Sequence, residues 1–270
     1  MNLYACPVCG HSLAKFDVVL KCDHNHSYDF ASEGYVNLLL ANQKNSKEPG
    51  DSKAMIEYRQ YFLNQGYYDI LSDALNSIVA EPEVFTILDL GCGEGFYSDR
   101  LRKFLGEGRA ELWGIDISKP AIQKAAKRNS EIAWCVGSSF QLPYLDGSFD
   151  TIFSIFAPFD PKEVRRVLKP GGRVIVVRPG PNHLKELASL LYGKFEPQGD
   201  SSQLSENLGL KQVNTLSVQT QIHLKNPKEI ESLVGMTPYA WSLHEDQKKL
   251  LAATQELTTS VDFQVVVFES

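Results

Sequence analysis

The chain has 270 residues, 43% hydrophobic and 22% charged, which is enough for a buried core and one or two domains. Its net charge of −6 argues against a protein coated in basic surface, although it does not exclude a local basic face. No apolar run approaches the ~20 residues of a membrane span, and the N-terminus shows no charged-then-apolar signal segment, so we expect a cytoplasmic protein.

The N-terminal cysteines predict a metal site. Three of the five cysteines fall in the first 22 residues, which in a reducing cytosol favours metal binding over a disulfide framework. Cys6, Cys9, Cys22 and His26 follow the pattern C-x2-C-x12-C-x3-H, close to structural zinc spacing. A short hairpin over 16–20 would bring the two pairs together into a closed, non-catalytic site. His11 and His24 are rival fourth ligands, and three free cysteines in a small apolar cluster are the alternative.

A polar stretch over 42–52 predicts an exposed loop that leads into two helices. Ser52 is placed to cap a helix to about Asn64, Gly66 ends it, and a second helix runs from about Tyr67 to Ala80. The tyrosines of these helices could stack on a purine, but aromatic residues at helical spacing also fit core packing. They are Tyr58, Tyr61, Tyr67 and Tyr68.

A glycine-rich loop follows a buried strand predicted over 84–90. The run Asp89-Leu-Gly-Cys-Gly-Glu-Gly95 lets the backbone turn tightly and lets a ligand lie against bare main chain at Gly91, Gly93 and Gly95. A pyrophosphate would be repelled by two flanking carboxylates, Asp89 and Glu94. The sulfonium and ammonium of S-adenosylmethionine would be favoured there.

A second acid supports a nucleoside ligand. The next predicted strand, 111–116, ends in Asp116, about 20 residues past the loop, where a ribose-binding carboxylate lies in nucleotide-binding α/β folds. The alternative is that Asp116 only caps the next helix. The loop over 138–143, which follows the third strand, could contact an adenine or be a plain polar loop.

Strands and helices alternate from Val84 onward, which predicts a mostly parallel sheet covered by helices on both faces. We expect strands near 84–90, 111–116, 131–136, 150–155 and 172–178, with a helix over 120–128. Segments 211–224 and 261–268 predict a terminal antiparallel hairpin at the sheet edge, with helical material between them. The predicted units are a zinc module over 1–40, a linker and helical segment over 41–83, and an α/β domain over 84–270.

These residues resemble a known family. The glycine loop, Asp116 and Leu168-Lys-Pro-Gly-Gly172 are similar to class I S-adenosylmethionine-dependent methyltransferases, which have a Rossmann-like fold. With the zinc pattern, the runs 33–39, 49–51, 155–158 and 178–184 resemble the 23S rRNA (guanine-N1)-methyltransferase family over nearly the whole chain.

The resemblance implies methyl transfer to N1 of a guanine in a 23S rRNA hairpin by a homodimer. It implies zinc ligation by Cys6, Cys9, Cys22 and His26 rather than by the rival histidines. It also places cofactor contacts at Tyr68, Gly93, Glu94 and His183.

No catalytic base is assigned. Asp160 follows the fourth strand, but the Pro161 and Glu163 that come after it favour a helix N-cap. His183 could accept a proton, although a cofactor contact fits better. Exocyclic-amine methylation commonly uses Asn/Asp-Pro-Pro-aromatic where this chain has Phe156-Ala-Pro-Phe159, and cytosine C5 methylation needs a cysteine that the fourth-strand loop lacks.

RNA binding requires positive charge. Six cations lie close together in sequence and could face RNA or simply be solvated: Lys162, Arg165, Arg166, Lys169, Arg173 and Arg178. Two other functions remain open: a small-molecule methyltransferase of the quinone-biosynthesis type, and a non-catalytic zinc-module RNA-binding protein.

Overall fold

The computed structural model describes residues 2–44, 49–80, 86–106, 108–197 and 206–270. The first two residues of the strand predicted over 84–90, and part of the predicted linker, lie outside these ranges. A small antiparallel sheet consists of β1 (Ala14–Phe16), β2 (Val19–Lys21) and β3 (Ser27–Asp29). The large sheet consists of β4 (Val36–Asn37), β5 (Thr86–Leu90), β6 (Glu111–Asp116), β7 (Ala133–Val136), β8 (Phe149–Ile155), β9 (Leu168–Pro179), β10 (Lys211–Leu224) and β11 (Leu257–Glu269).

The helices flank and connect these strands. They are α1 (Lys53–Leu63), α2 (Asp69–Val79), α3 (Phe96–Leu105), α4 (Lys119–Arg128), α5 (Pro161–Val167), α6 (Lys185–Tyr192), α7 (Pro227–Gly235), α8 (Tyr239–Ser242) and α9 (Glu245–Ala253). As predicted, the Ser52 side chain caps α1 by accepting from the Met55 amide at 3.3 Å. Gly66 follows that helix with a φ of 83°, a conformation that glycine adopts without strain.

The large sheet has the order β10-β11-β9-β8-β5-β6-β7-β4. Strands β4 to β9 pair with one another in parallel. Beyond them, β11 pairs antiparallel with β9, and β10 pairs antiparallel with β11. The predicted α/β fold with its terminal antiparallel hairpin is therefore confirmed. The chain progresses in opposite directions from β5, to β6 on one side and to β8 on the other, and ligands of open α/β sheets bind where the order reverses.

Each face of the large sheet covers its own buried cluster. Along β5 the side chains alternate, so Ile87 joins one cluster with Tyr68 and Phe96, while Leu88 and Leu90 join the other. The second cluster also contains most buried residues of the N-terminal segment, including Cys6, Leu13, Leu20 and Cys22, whereas Tyr35 joins the first. The part of the N-terminal segment that carries the cysteines and the helix that begins after Tyr68 thus pack on opposite faces.

The N-terminal segment is joined to the large sheet by backbone pairing. Strand β4 pairs in parallel with β7, with Val36 opposite Cys135 and Asn37 opposite Val136. The Ala5 amide donates to the Pro143 carbonyl at 2.9 Å, and the rings of Tyr4 and Tyr144 stack with centroids 5.4 Å apart. The sequence predicted only an apolar segment here, because two residues are too few to show a strand pattern.

Candidate functional site

A cavity of about 490 Å³ lies at the carboxyl ends of the central parallel strands. Its walls come from the loop after β5, the ends of β8 and β9, helix α1, and the turn from α7 into α8. The cavity brings together five of the seven residues predicted to bind the cofactor: Tyr68, Gly91, Gly93, Glu94 and His183. Two others, Gly95 and Asp116, are not part of its lining.

The three loop glycines have positive φ but different surroundings. A Cβ at Gly91 would lie 2.2 Å from the Ala157 Cβ, and one at Gly95 would lie 3.0 Å from both Ala125 and Trp134. A Cβ at Gly93 would meet only the Arg59 Cδ, at 3.8 Å. Gly91 and Gly95 therefore permit close packing of the loop, and Gly93 is the position at which bare backbone faces the cavity.

The two loop carboxyl groups are not free negative charges. Asp89 is buried, it accepts a hydrogen bond from the Ser98 hydroxyl, and burial raises its pKa to about 7. Glu94 is 1% exposed and accepts from the Arg128 Nε at 2.9 Å, and burial raises its pKa as well. The expectation that both acids face the ligand as charges needs this correction, since the sequence did not show Arg128 as a partner.

Asp116, which is not part of the cavity lining, stabilises the glycine loop by a hydrogen bond. Its Oδ2 accepts from the Gly93 amide at 2.9 Å and its Oδ1 accepts from the Ser118 amide at 2.8 Å. Ser118, not Asp116, is the N-cap of α4, so Asp116 holds the residue before the helix in place and does not itself cap the helix. Each carboxylate oxygen can accept a further hydrogen bond, and ribose binding by Asp116 stays a prediction.

Tyr68 and His183 face the cavity from α2 and from the loop after β9. Both are buried, and their ring centroids lie 6.3 Å apart in an edge-on arrangement. The His183 Nδ1 accepts from the Asp262 amide at 3.2 Å, which leaves the ring proton on Nε2. Burial lowers the pKa of His183 to about 4, so the ring is neutral at pH 7 and serves as a hydrogen-bond donor rather than as a base.

Sequence reasoning missed the part of the lining that comes from α1 and from the segment after α7. It includes Asp51, Met55, Arg59, Thr237 and Trp241. The Arg59 guanidinium forms an ion pair with Asp51 at 2.7 Å. The run Pro49-Gly-Asp51 was noted only for its resemblance, and no local pattern indicated that residues near 236–241 return to the loop at 91–95.

Most of the tyrosines proposed as base-stacking groups connect α1 and α2 to α7 instead. The Tyr58 hydroxyl donates to Glu231 at 2.8 Å, and the Tyr67 hydroxyl donates to Glu229 at 2.6 Å. The Tyr61 ring lies under the Lys228 ammonium, 4.1 Å from the centroid. Of these three, Tyr67 also packs against the buried cluster, as the core-packing alternative expects, and of the four tyrosines only Tyr68 lines the cavity.

The remaining polar candidates have structural partners. Asp160 is the N-cap of α5 and accepts from the Lys162 amide at 2.8 Å. Ser138 and Ser139 bond within their own loop and to Pro158, and the loop 138–143 does not line the cavity. In the basic cluster, Arg166 pairs with Glu163 and Asp146, Lys169 pairs with Asp150, and Arg173 donates to the Ile78 carbonyl. Half of that cluster is therefore engaged within the chain.

The N-terminal cysteines and one histidine form the predicted metal site. The ligand atoms of Cys6, Cys9, Cys22 and His26 all lie within 4.8 Å of one another. The Cys9 and Cys22 sulfurs are 3.7 Å apart, and the His26 Nδ1 lies 3.5 Å from Cys6 and 3.4 Å from Cys22. The edges of a tetrahedral zinc site with these ligands are roughly 3.5–3.8 Å, so the donor set fits Zn²⁺.

Contacts of Cys6 favour its thiolate form. Burial opposes ionisation of Cys6, but hydrogen bonds from the Tyr28 hydroxyl and from the backbone at Cys9 and Val8 outweigh it and lower the pKa of Cys6 to about 6. His11 and His24 are exposed and form a separate group with Cys9. The four ligands named from the sequence thus form the larger and more buried of the two groups.

Two buried polar atoms of the cavity lining have no hydrogen-bond partner among the described residues. They are the Glu94 Oε1, an acceptor, and the Arg59 Nε, a donor. Buried polar groups are almost always satisfied in folded proteins. A ligand with both positive and negative groups, such as the methionyl end of S-adenosylmethionine, fits this pair of atoms.

No helix in the described part of the chain has the length and apolar character needed to cross a lipid bilayer.

Family comparisons divide the chain in two. Residues 4–47 match a zinc-ribbon family described as "RlmA, N-terminal", and residues 87–172 match a methyltransferase domain. Solved structures give the same fold: a SAM-dependent methyltransferase from Aquifex aeolicus covers 82% of this chain and 100% of its own, at 16% identity and a TM-score of 0.53. The YcgJ protein of Bacillus covers 74% and 97%, at 17% identity and a TM-score of 0.52.

Full-length relatives carry more specific names. The 23S rRNA (guanine(748)-N(1))-methyltransferase of Streptomyces fradiae is 30% identical over 96% of this chain and 95% of its own. YxjB of Bacillus subtilis, which is named as an inferred 23S rRNA (guanine-N1)-methyltransferase, is 31% identical over 98% of this chain and 96% of its own. A relative from Micromonospora griseorubida with the same inferred name is 32% identical over 97% and 94%.

Proposed function

Since the chain belongs to the 23S rRNA (guanine-N1)-methyltransferase family, we propose that it transfers the methyl group of S-adenosylmethionine to N1 of a guanine in 23S rRNA. The observation that carries the proposal is similarity over nearly the whole chain to relatives named for this reaction. The similarity includes both the zinc ribbon and the methyltransferase domain, and a chain that shared only the methyltransferase fold would lack the first.

The residues of the cavity position the methyl donor. Bound S-adenosylmethionine supplies a methyl group already activated by its sulfonium, so correct placement of the reactants accounts for much of the rate. We propose that Gly93 offers its bare backbone, Asp116 accepts from the ribose through its remaining lone pairs, and Glu94 faces the positive end of the ligand. Tyr68 packs beside it, and the Nε2–H of His183 donates into the cavity.

Aromatic side chains at the mouth of the cavity offer a surface for the target base. Phe156 and Trp241 line the cavity and are 38% and 74% exposed. Phe156 has a φ of 57°, which is strained for a bulky residue and is held by a hydrogen bond from its amide to the Val177 carbonyl at 3.1 Å. These two replace Tyr58 and Tyr61 as the stacking candidates, because both tyrosines contact α7.

The chemistry of N1 restricts the form of the substrate. N1 lies on the Watson–Crick edge, so a paired guanine hides it, and an unpaired or flipped base is reached at least cost in a hairpin loop. N1 also carries a proton at neutral pH that must leave. Neither Asp160 nor His183 is suited to take it, given their hydrogen bonds, and we assign no catalytic base.

The finer features implied by the family resemblance form part of the same proposal. They are a hairpin of 23S rRNA as the target, a homodimer, and a cytoplasmic location. The homodimer is tested by light scattering on the purified protein, where a molar mass near 60 kDa, about twice the 30.2 kDa of one chain, is expected.

Primer extension on 23S rRNA tests the substrate. A methyl group on N1 blocks base pairing, so reverse transcriptase should stop one nucleotide before the modified guanine. We expect a stop that is absent in RNA from a strain lacking this protein and returns when the protein is restored. Mass spectrometry of the nucleosides should identify the product as N1-methylguanosine. Identical stops in all three RNAs would rule out 23S rRNA, and transfer of label to a lipid extract would then favour a small-molecule methyltransferase.

A further inference from the structure

The ionisable groups that line the cofactor cavity are mostly acidic. Three carboxyl groups line it, from Asp51, Asp89 and Glu94, against one guanidinium, that of Arg59. His183 adds no positive charge, since its pKa is about 4. The methionyl end of S-adenosylmethionine carries a carboxylate as well as an ammonium. Among the described lining residues, the carboxylate has one cationic partner available.

Arg59 is held in place with part of its hydrogen-bonding capacity unused. Its two described hydrogen bonds both leave from one terminal nitrogen, to the Asp51 carboxylate at 2.7 Å and to the Met236 carbonyl at 3.5 Å. The Nε is buried and has no partner among the described residues. A guanidinium is a planar group with five N–H donors, and its geometry matches a carboxylate that accepts two parallel hydrogen bonds.

The position of Arg59 connects it to the cofactor loop. Its Cδ lies 3.8 Å from the point where a Cβ on Gly93 would be, which is the bare backbone position of the loop. It also lies close enough for its charge to act on Glu94 and Asp116, whose carboxyl pKa values it lowers against the effect of burial. The guanidinium is thus beside the atoms proposed to bind the donor.

We propose that Arg59 binds the carboxylate of the methionyl group of S-adenosylmethionine, and that Asp51 is a positioning residue that orients the guanidinium. The identity of the ligand rests on the proposed function, whereas the binding role of Arg59 rests on the contacts above. This role explains why the buried Nε of Arg59 has no partner among the described residues, because the carboxylate of the ligand accepts its hydrogen bond.

Binding of two ligands distinguishes the loss of a carboxylate contact from general damage to the site. S-adenosylhomocysteine carries the amino-acid carboxylate, and 5′-methylthioadenosine has the same adenosine and a thioether but no amino-acid group. We expect Arg59→Met to weaken binding of S-adenosylhomocysteine at least ten-fold in calorimetric titrations of the full chain, and to change binding of 5′-methylthioadenosine less than two-fold. Asp51→Asn should weaken the first ligand several-fold and spare the second.

Arg100→Met is the matched control. Arg100 has the same 29% side-chain exposure as Arg59 and a 2.7 Å ion pair of its own with Asp73, but it does not line the cavity. It should alter neither affinity. Arg59→Lys keeps the charge and covers the case in which Arg59→Met fails to fold; it should retain an intermediate affinity for S-adenosylhomocysteine alone.

Equal weakening of both ligands by Arg59→Met and Arg59→Lys, or of neither, would overturn the role of Arg59 while leaving the proposed function intact. Failure of the wild-type protein to bind either ligand would overturn the proposed function, and this inference with it.

Discussion

Asp116 is fixed by two backbone amides before any ligand binds, and this makes its contribution to binding measurable. If it also accepts from the cofactor ribose, as we expect, Asp116→Ala removes a charged acceptor. Such bonds contribute roughly 1.5–3 kcal/mol, which corresponds to a loss in affinity of about ten-fold or more. Calorimetric titration with S-adenosylhomocysteine measures the loss, and unchanged affinity would show that no ribose contact exists.

Asp160→Ala provides the comparison for Asp116→Ala. Asp160 also accepts a backbone amide at a helix start, but it lies outside the cavity lining. Loss of such a cap costs about 1 kcal/mol of stability, so the melting temperature should fall while the affinity for S-adenosylhomocysteine stays the same. An equal loss of affinity in both variants would mean that the loss reflects general destabilisation rather than a ribose contact of Asp116.

At the scale of single residues, the sequence predicted which backbone faces the ligand better than it predicted which charged side chains pair with one another. The glycine loop and the cluster of Cys6, Cys9, Cys22 and His26 were predictable because each is set by short spacing. Arg128 beside Glu94, and Arg59 beside Asp51, could not be predicted in this way. Long side chains from other helices form these pairs, and the tertiary packing determines which carboxyl group each cation meets.

At the scale of elements, the contact between α1 and α7 shapes the cavity. A Cβ at Gly235 would lie 2.3 Å from the Tyr58 ring, so the absence of a side chain there lets the two helices approach. Gly235→Ala should force them apart, lower the stability by about 1–3 kcal/mol as overpacked sites do, and weaken binding of S-adenosylhomocysteine. The binding loss is expected because Met236 to Trp241, which line the cavity, directly follow α7.

Tyr58→Ala tests whether the contact with the Tyr58 ring causes the loss of stability in Gly235→Ala. Tyr58→Ala removes the ring that the new methyl group at position 235 meets. The double variant Gly235→Ala/Tyr58→Ala should therefore be more stable than the sum of the two single changes predicts. Thermal and urea unfolding measure all four proteins. Strict additivity would show that the methyl group at 235 acts through something other than Tyr58.

Regular elements were predictable where their pattern is long. The strands at 111–116 and 150–155, the helix near 120–128 and the terminal hairpin all appear at or within a few residues of their expected positions. Strand β4 and the cavity-lining turn after α7 were not predictable. A two-residue strand has no period, and a turn gives no sign of which distant loop it will contact.

At the scale of the whole molecule, the zinc module packs on one face of the large sheet, whereas the cavity lies at the strand ends and its Tyr68 belongs to the buried cluster on the other face. We expect one zinc per chain by elemental mass spectrometry. Cys22→Ser should lose the metal and lower the melting temperature, yet change the affinity for S-adenosylhomocysteine less than about three-fold. That small effect is expected because Cys22 packs in the buried cluster opposite the one that contains Tyr68.

His24→Ala is the matched variant for the metal site, because His24 lies nearby but outside the four-ligand set. It should keep a full complement of zinc. Zinc retained by Cys22→Ser, or lost from His24→Ala, would mean that the ligand set is wrong. The unit boundary at residue 40 stays a prediction, and β4 shows that the first unit contributes a strand to the sheet of the third.

The pairing of β4 with β7 sets an order of events during synthesis on the ribosome. Val36 leaves the exit tunnel about 100 residues before its partner Cys135, which at 5–20 residues per second is a delay of roughly 5 to 20 s. The zinc ligands all lie within residues 6–26, so the metal can close its site in this interval. The nascent chain can therefore carry a zinc-loaded ribbon whose β4 lacks its β7 partner until the rest of the sheet is made, and zinc shortage would act on the chain before the cofactor cavity exists.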